Sequence, residues 1–167
     1  VGSGIGSDAS PQHRLGALSA MKYPDLYKTR LWMAVHPIDR AQLLLVCEGV
    51  KPGTAIYWYR SIPRICEKTG LQYLRDGKGV NVGRSIPKIR SDRENGRFLG
   101  YPKCCIETYI RGKDDFPSSR EEHFYRPPSF TPCRKNCARA MKLLRLWMET
   151  MWACDPEAAK ALREFNS

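Results

Sequence analysis

The chain has no Asn-x-Ser/Thr glycosylation acceptor, only three histidines, and fewer acidic residues (17) than basic ones (28). With so few histidines, a conventional acid–base apparatus is thinly supplied. Neither a Gly-x-x-x-x-Gly-Lys-Ser/Thr loop nor a Gly-x-Gly-x-x-Gly turn is present, and no Gly-x-Ser-x-Gly elbow occurs. The opening VGSGIG has the look of a nucleotide loop, but no strand precedes it, so it carries no such reading. Long hydrophobic runs are missing too. None is longer than Leu43–Cys47, far short of the roughly 20 residues of a membrane span. No charged segment followed by an apolar one opens the chain, so nothing reads as a secretory signal.

Residues 1–20 lack aromatics and are rich in Gly, Ser and Ala, whereas MKYPDLY from Met21 has the density of a folded segment. We read 1–20 as a flexible leader or appended remnant, with a natural disordered arm as the alternative. Residues 21–167 are then one globular domain with a cysteine cluster, a size that suits a single core.

What is present in quantity is cysteine and positive charge. Seven cysteines (47, 66, 104, 105, 133, 137 and 154) are an odd number and too sparse for a disulfide scaffold. Together with the missing glycosylation sites, this favours a reducing, cytoplasmic compartment, where clustered cysteines more often bind metal or do chemistry. The net charge is +11, unevenly spread. Arg75 to Lys103 holds eight basic residues against three acidic, and Arg126 to Arg145 holds six basic and no acidic residue. Such a field attracts polyanions, nucleic acid above all.

Periodicity and turn signals predict an α+β fold, mostly helical, with a small β-hairpin or sheet. Asp39 is expected to cap a helix over RAQLLLVCE after a break at Pro37, and Gly49 to end it. Thr54–Tyr59 reads as a strand and Ser61–Lys68 as a helix up to Gly70. Leu71–Arg75 and Val80–Val82 flank Asp76-Gly-Lys-Gly, a hairpin signal. Pro87–Asn95 suggests a basic helix closed at Gly96. Pro102 suits the start of a helix that Gly112 closes. Thr131-Pro132 is expected to open a longer helix to about Trp152, with Cys133, Cys137, Met141, Leu144 and Met148 on one stripe. Asp155-Pro156-Glu157 caps a last helix to Phe165.

On this reading Cys104 and Cys105 lie in the first turn of one helix, Cys133 in the first turn of another, and Cys137 one turn on. A helix start offers unpaired N–H groups and the positive end of the dipole, which favour thiolate, the form that binds metal. Lys103, Arg134 and Lys135 act in the same direction. Four thiolates suit a tetrahedral zinc or a [4Fe-4S] cluster; disulfides, a reactive thiol and inert core thiols are the alternatives. Adjacent cysteines point different ways, so both on a single zinc would be strained: one outcome is that only one of the pair Cys104–Cys105 ligates, with His123 as a fourth ligand, whereas a cluster tolerates the spacing better. Cys47, Cys66 and Cys154 read as structural.

Basic residues need aromatic company to bind single strands, since bases stack while phosphates pair. Candidate phosphate contacts are Arg84, Lys88, Arg90, Arg93, Arg134, Lys135 and Arg139; candidate stacking residues are Trp58 and Tyr125. The expected function is a basic module binding RNA or single-stranded DNA, its fold pinned by the cysteine site, with no membrane partner. Two alternatives remain: a redox or nucleic-acid-modifying enzyme using the same site, and a subunit docking through its methionine-rich helix.

The run Gly100-Tyr101-Pro102-Lys103-Cys104-Cys105 resembles the Gly-Tyr-Pro-x-Cys-Cys motif of an uncharacterised, largely archaeal prokaryotic protein family. Pro132-Cys133-Arg134-Lys135-Asn136-Cys137 is similar to that family's later Pro-Cys-x-x-x-Cys element, and Val82-Gly83-Arg84-Ser85 to a short upstream element. The resemblance spans roughly residues 40 to 140 and implies one shared cysteine site, with no activity attached. Lys103 stands where an acidic or neutral residue is more usual.

Overall fold

A computed structural model describes residues 21–112, 132–134 and 136–165. After a short 3-10 turn at Leu26–Lys28 come α1 (Arg30–Met33), α2 (Pro37–Cys47), β1 (Gly53–Tyr57), α3 (Ile62–Thr69), β2 (Gln72–Asp76) and β3 (Gly79–Gly83). They are followed by α4 (Asp92–Phe98), α5 (Lys103–Arg111), α6 (Ala138–Cys154) and α7 (Pro156–Phe165). The fold is α+β and mostly helical, as expected.

The centre is α2, in which every residue from Arg40 to Cys47 is buried. The break expected at Pro37 separates α1 from α2, and Pro37 itself begins α2, ahead of the cap expected at Asp39. A proline in the first turn loses no hydrogen bond, because that N–H has no partner within the helix anyway. His36 Nδ1 accepts from the Ile38 N–H at 3.4 Å as the cap, and Asp39 instead accepts from the Tyr59 hydroxyl at 2.6 Å. Helices α6 and α7 and strand β1 pack around α2, so even its polar positions need internal partners. Arg40 finds them in Asp155 (3.1 Å) and Glu157 (2.7 Å). Asp155 also accepts from Trp32 Nε1 at 2.8 Å and caps α7 through the Ala158 N–H at 3.0 Å.

The three strands form an antiparallel sheet in the order β1-β3-β2, with a two-residue turn at Gly77-Lys78 closing the expected hairpin. Gly53 and Gly83 pair across β1 and β3, and both lie against the Phe98 ring. A β-carbon at Gly53 would stand 2.1 Å from that ring, so α4 docks only on a glycine.

Two helix placements differ from the expectation. The basic helix α4 spans Asp92–Phe98 rather than Pro87–Asn95, because Ser91 caps it by accepting from the Glu94 N–H. Gly96 lies inside α4, where a β-carbon would meet Ile106 of α5 at 2.8 Å. Helix α6 begins only at Ala138, with Cys137 as its cap; Thr131 lies outside the described residues. Its buried line is Ala140, Leu144, Trp147 and Met151, while Met141 and Met148 are half-buried. The large indole of Trp147 takes the centre that the sequence reading gave to Met148.

Candidate metal centre

The site is built from the end of one helix and the starts of two others. Helix α4 ends in a Schellman motif: Gly100 takes φ +78°, its N–H donates to Arg97 O (3.0 Å), and the Tyr101 N–H donates to Gly96 O (2.9 Å). A β-carbon at Gly100 would also stand 2.8 Å from Pro52, so glycine is required on both counts. Pro102 then serves as the cap of α5, which places Cys104 and Cys105 second and third in that helix. Gly100, Tyr101 and Pro102 thus turn the chain from one helix to the next and present the cysteine pair.

From the other side comes the segment before α6. Cys133 lies in a turn rather than in the helix, and the Cys137 N–H donates to Arg134 O at 3.1 Å. The Cys133 N–H points at Cys105 Sγ, 3.4 Å away. All four sulfurs, of Cys104, Cys105, Cys133 and Cys137, lie within 4.8 Å of one another. The separations are 3.7 Å for Cys104–Cys137, 3.8 Å for Cys105–Cys137 and 3.9 Å for Cys104–Cys105. Cys105 and Cys137 are buried; Cys104 and Cys133 are half-buried.

Both members of the adjacent pair belong to the group, so neither stands aside. In the first turn of α5, with the partner segment arriving at the helix start, both side chains reach the same point. His123 lies outside the described residues. Among the described residues this is the only group of three or more Cys, His, Asp or Glu side chains that could hold a metal ion.

Proton affinities within the cluster diverge. Burial pushes the Cys105 thiol up, and burial together with the Cys137 sulfur pushes Cys133 up. Burial alone would raise Cys137 as well. The Ala140 backbone N–H and the thiols of Cys133, Cys104 and Cys105 outweigh it and bring Cys137 down to about 7. The helix start of α6 thus favours one thiolate at its cap. Cys47, Cys66 and Cys154 differ from Cys137: burial raises all three, Cys66 and Cys154 to about 11, and none joins the cluster.

Beneath the Gly100–Tyr101 turn sits Lys51, with 2% of its surface exposed. Its ammonium donates to Gln42 Oε1 (2.7 Å) and lies 4.9 Å from the Trp147 ring centre and 5.8 Å from that of Tyr101. Burial lowers its pKa from 10.5 to about 7. Nothing in the local sequence marks this lysine as internal; the packing of α6 over the α2–β1 loop puts it there.

The proposed polyanion contacts scatter. Arg134 and Arg139 are exposed on either side of Cys137, and Lys103 is exposed at the start of α5. Lys88 and Arg90 are exposed in the segment before α4. Arg93, by contrast, holds Glu107 through two hydrogen bonds of 3.0 and 2.9 Å, which ties α4 to α5. Arg84 reaches back to the carboxyl end of α2: a β-carbon at Gly49 would touch both its Nη2 (2.8 Å) and Lys22 Nζ (2.9 Å). Trp58 is half-buried, with the Arg75 guanidinium 4.6 Å from its ring centre and Tyr73 at 6.0 Å, so its face is already covered. The open aromatic beside it is Tyr57, 69% exposed. Strand alternation carried that signal, because Trp58 follows the inward-facing Ile56 by two. Lys135 and Tyr125 lie outside the described residues.

Among the described residues no helix is long and apolar enough to cross a membrane. Comparison with known proteins found no matching family model, no matching curated protein and no matching solved structure.

Proposed function

We propose that the chain is a basic module that binds single-stranded nucleic acid, RNA or DNA, and that one zinc ion on Cys104, Cys105, Cys133 and Cys137 pins its fold. The observation that carries the metal reading is the sulfur spacing: 3.7–3.9 Å among Cys104, Cys105 and Cys137, with the Cys133 sulfur within 4.8 Å of them. Four thiolates at a zinc–sulfur distance of ~2.3 Å stand about 3.8 Å apart along the edges of a tetrahedron. A [4Fe-4S] cluster sets each thiolate on a different iron, which demands a wider cage than one shared ion. Four protein ligands close the coordination sphere, the arrangement of structural rather than catalytic zinc, and this favours the module over the enzyme. The Cys133 N–H aimed at Cys105 Sγ is the kind of outer contact that orients a ligand.

The nucleic-acid half of the proposal rests on charge. Lys103, Arg134 and Arg139 flank the site, and Arg111 and Lys142 lie exposed on the same two helices. Kinship with the archaeal family of the Gly-Tyr-Pro-x-Cys-Cys motif belongs to the same proposal. Its support is local: glycine, proline and the cysteine pair each have a distinct task in turning α4 into α5.

Metal content and an ultraviolet–visible spectrum of anaerobically purified protein test the first half. One zinc per chain and no cluster absorption is the expected result; all seven thiols free and a melting point indifferent to chelator would sink it. For the second half, affinity for an RNA or DNA single strand should fall with salt at a log–log slope of about −0.7 per phosphate contacted. Replacing Arg134 and Arg139 by Ala should make that slope shallower, and Tyr125→Ala should weaken binding at nearly unchanged slope. Undetectable binding of both at about 150 mM salt, where screening leaves only close contacts, removes the nucleic-acid reading.

A further inference from the structure

Among the described residues the sheet leaves one of its edges open. Strand β2 is an outer strand, and among the described residues its only ladder partner is β3. All five of its residues are exposed, including Leu74 at 57% and Tyr73 at 43%. An edge strand with large apolar side chains is a template for another strand unless something covers or blunts it. Among the described residues charge at Arg75 and Asp76 is the only such protection, and the chemistry of the strand turns that charge into an attraction for its own copy.

We propose that two copies of this chain associate by antiparallel pairing of β2 with β2 about a twofold axis at Leu74. In Gln72-Tyr73-Leu74-Arg75-Asp76 that axis sets Tyr73 opposite Arg75, Gln72 opposite Asp76 and Leu74 opposite itself. Each of these cross-strand pairs shares a face and is favourable: guanidinium over an aromatic ring, amide to carboxylate, Leu on Leu. Arg75 never meets Arg75, nor Asp76 its like. A slip by one residue would turn the faces of the two strands against each other, and a slip by two would set Arg75 against Arg75 or Tyr73 against Tyr73, so this register is favoured. Tyr73 and Arg75 are already held on one face by Trp58, at 6.0 and 4.6 Å, so ordering them costs little on association. The product is a continuous six-stranded sheet with closed twofold symmetry, an isologous contact.

The interface is small, so the dimer is weak and depends on concentration. Each chain carries a net charge of +11, so added salt should strengthen it by screening the repulsion. That response is opposite in sign to nucleic-acid binding, and the proposal does not depend on the function argued above.

Sedimentation velocity across a concentration series is the test, on the full chain and on two variants. Leu74 is exposed, so Leu74→Asp and Leu74→Lys should fold with unchanged melting temperature. Each variant sets like charges face to face on the axis and should remain monomeric. Their equimolar mixture sets carboxylate against ammonium and should recover association at least as strong as that of the unmodified chain. An unmodified chain that stays monomeric at the highest concentration, single variants that still dimerise, or a mixture that does not recover association would each overturn the proposal.

Discussion

The two halves of this molecule are held together by different means. Around α2, helices α6 and α7 and the sheet bury Trp32, Leu43, Leu44, Leu45, Ile62, Ile65 and Trp147 almost completely, and burial of apolar area is their cohesion. Helix α5 buries only Cys105 and Ile106. It rests on α4 through Ile106 and the Arg93–Glu107 pair, and its start meets the α6 segment through sulfur. One half is a core that would be recognised in any small α+β protein. The other is too thin in apolar contacts to be fixed by burial, and the cysteines stand where the missing contacts would be. A metal held by these four cysteines would substitute for core.

That contrast makes the largest expected effect the loss of the metal. Cys137→Ser, Cys105→Ser or a strong chelator should release α5 and the segment before α6 and lower the melting temperature sharply. Structural zinc binding is worth on the order of 10 kcal/mol, and that binding energy is folding energy. Hydrogen exchange should place the new openings in α4, α5 and residues 132–137, with the α2–α7 contact still protected. Uniform loss of protection would show that the halves are not distinct.

Leu44→Ala probes the other half. Leu44 is fully buried, and its truncation should cost about 2–5 kcal/mol by denaturant unfolding. The same cost should appear in metal-loaded and metal-stripped protein. A cost seen only with metal bound would couple the core to the site more closely than the packing implies.

Lys51 sits where the halves meet, between Trp147 of the core and Tyr101 of the cysteine side. Its pKa falls from 10.5 in the unfolded chain to about 7 in the folded one, so between those values only the unfolded state holds the proton. Stability therefore rises as pH climbs from about 7 to 10.5, by at most about 1.4 kcal/mol per pH unit, and is flat below 7 for this group. Subtracting the unfolding free energy of Lys51→Met from that of the unmodified chain isolates the effect from the tyrosines and cysteines. A difference that does not vary over that window would mean the lysine stays charged inside.

Gly100→Ala is the smallest of these effects. A left-handed backbone with a β-carbon costs about 1–2 kcal/mol, and here the methyl also meets Pro52. Because Gly100 aims α5, the substitution should weaken metal retention in a chelator competition more than it lowers the melting temperature of metal-free protein.

The legible parts of the sequence were those with local causes. Gly70 and Gly49 end helices through positive φ, Gly77 turns a hairpin, and Asp155 caps α7; each feature is decided within a few residues. The four cysteines were legible as a set, but the helix-start argument holds only for Cys137 at the cap of α6: Cys133 lies ahead of that helix, and burial raises Cys105 and Cys133. What the sequence hid was set by contacts between distant segments. Gly96 looks like a helix end, yet it is there because Ile106 needs the space. Cys104 and Cys105 look divergent as a dipeptide and converge only because the α6 segment approaches the helix start. Trp58 looks like a platform until β2 brings Arg75 over it. Lys51 looks like any loop lysine until α6 closes above it.

X-ray absorption at the metal edge of the purified protein tests the central claim most directly. The account predicts one zinc per chain, a shell of four sulfurs at ~2.3 Å and no metal–metal neighbour. A shell with nitrogen or oxygen in place of sulfur, or a short iron–iron vector, would contradict it.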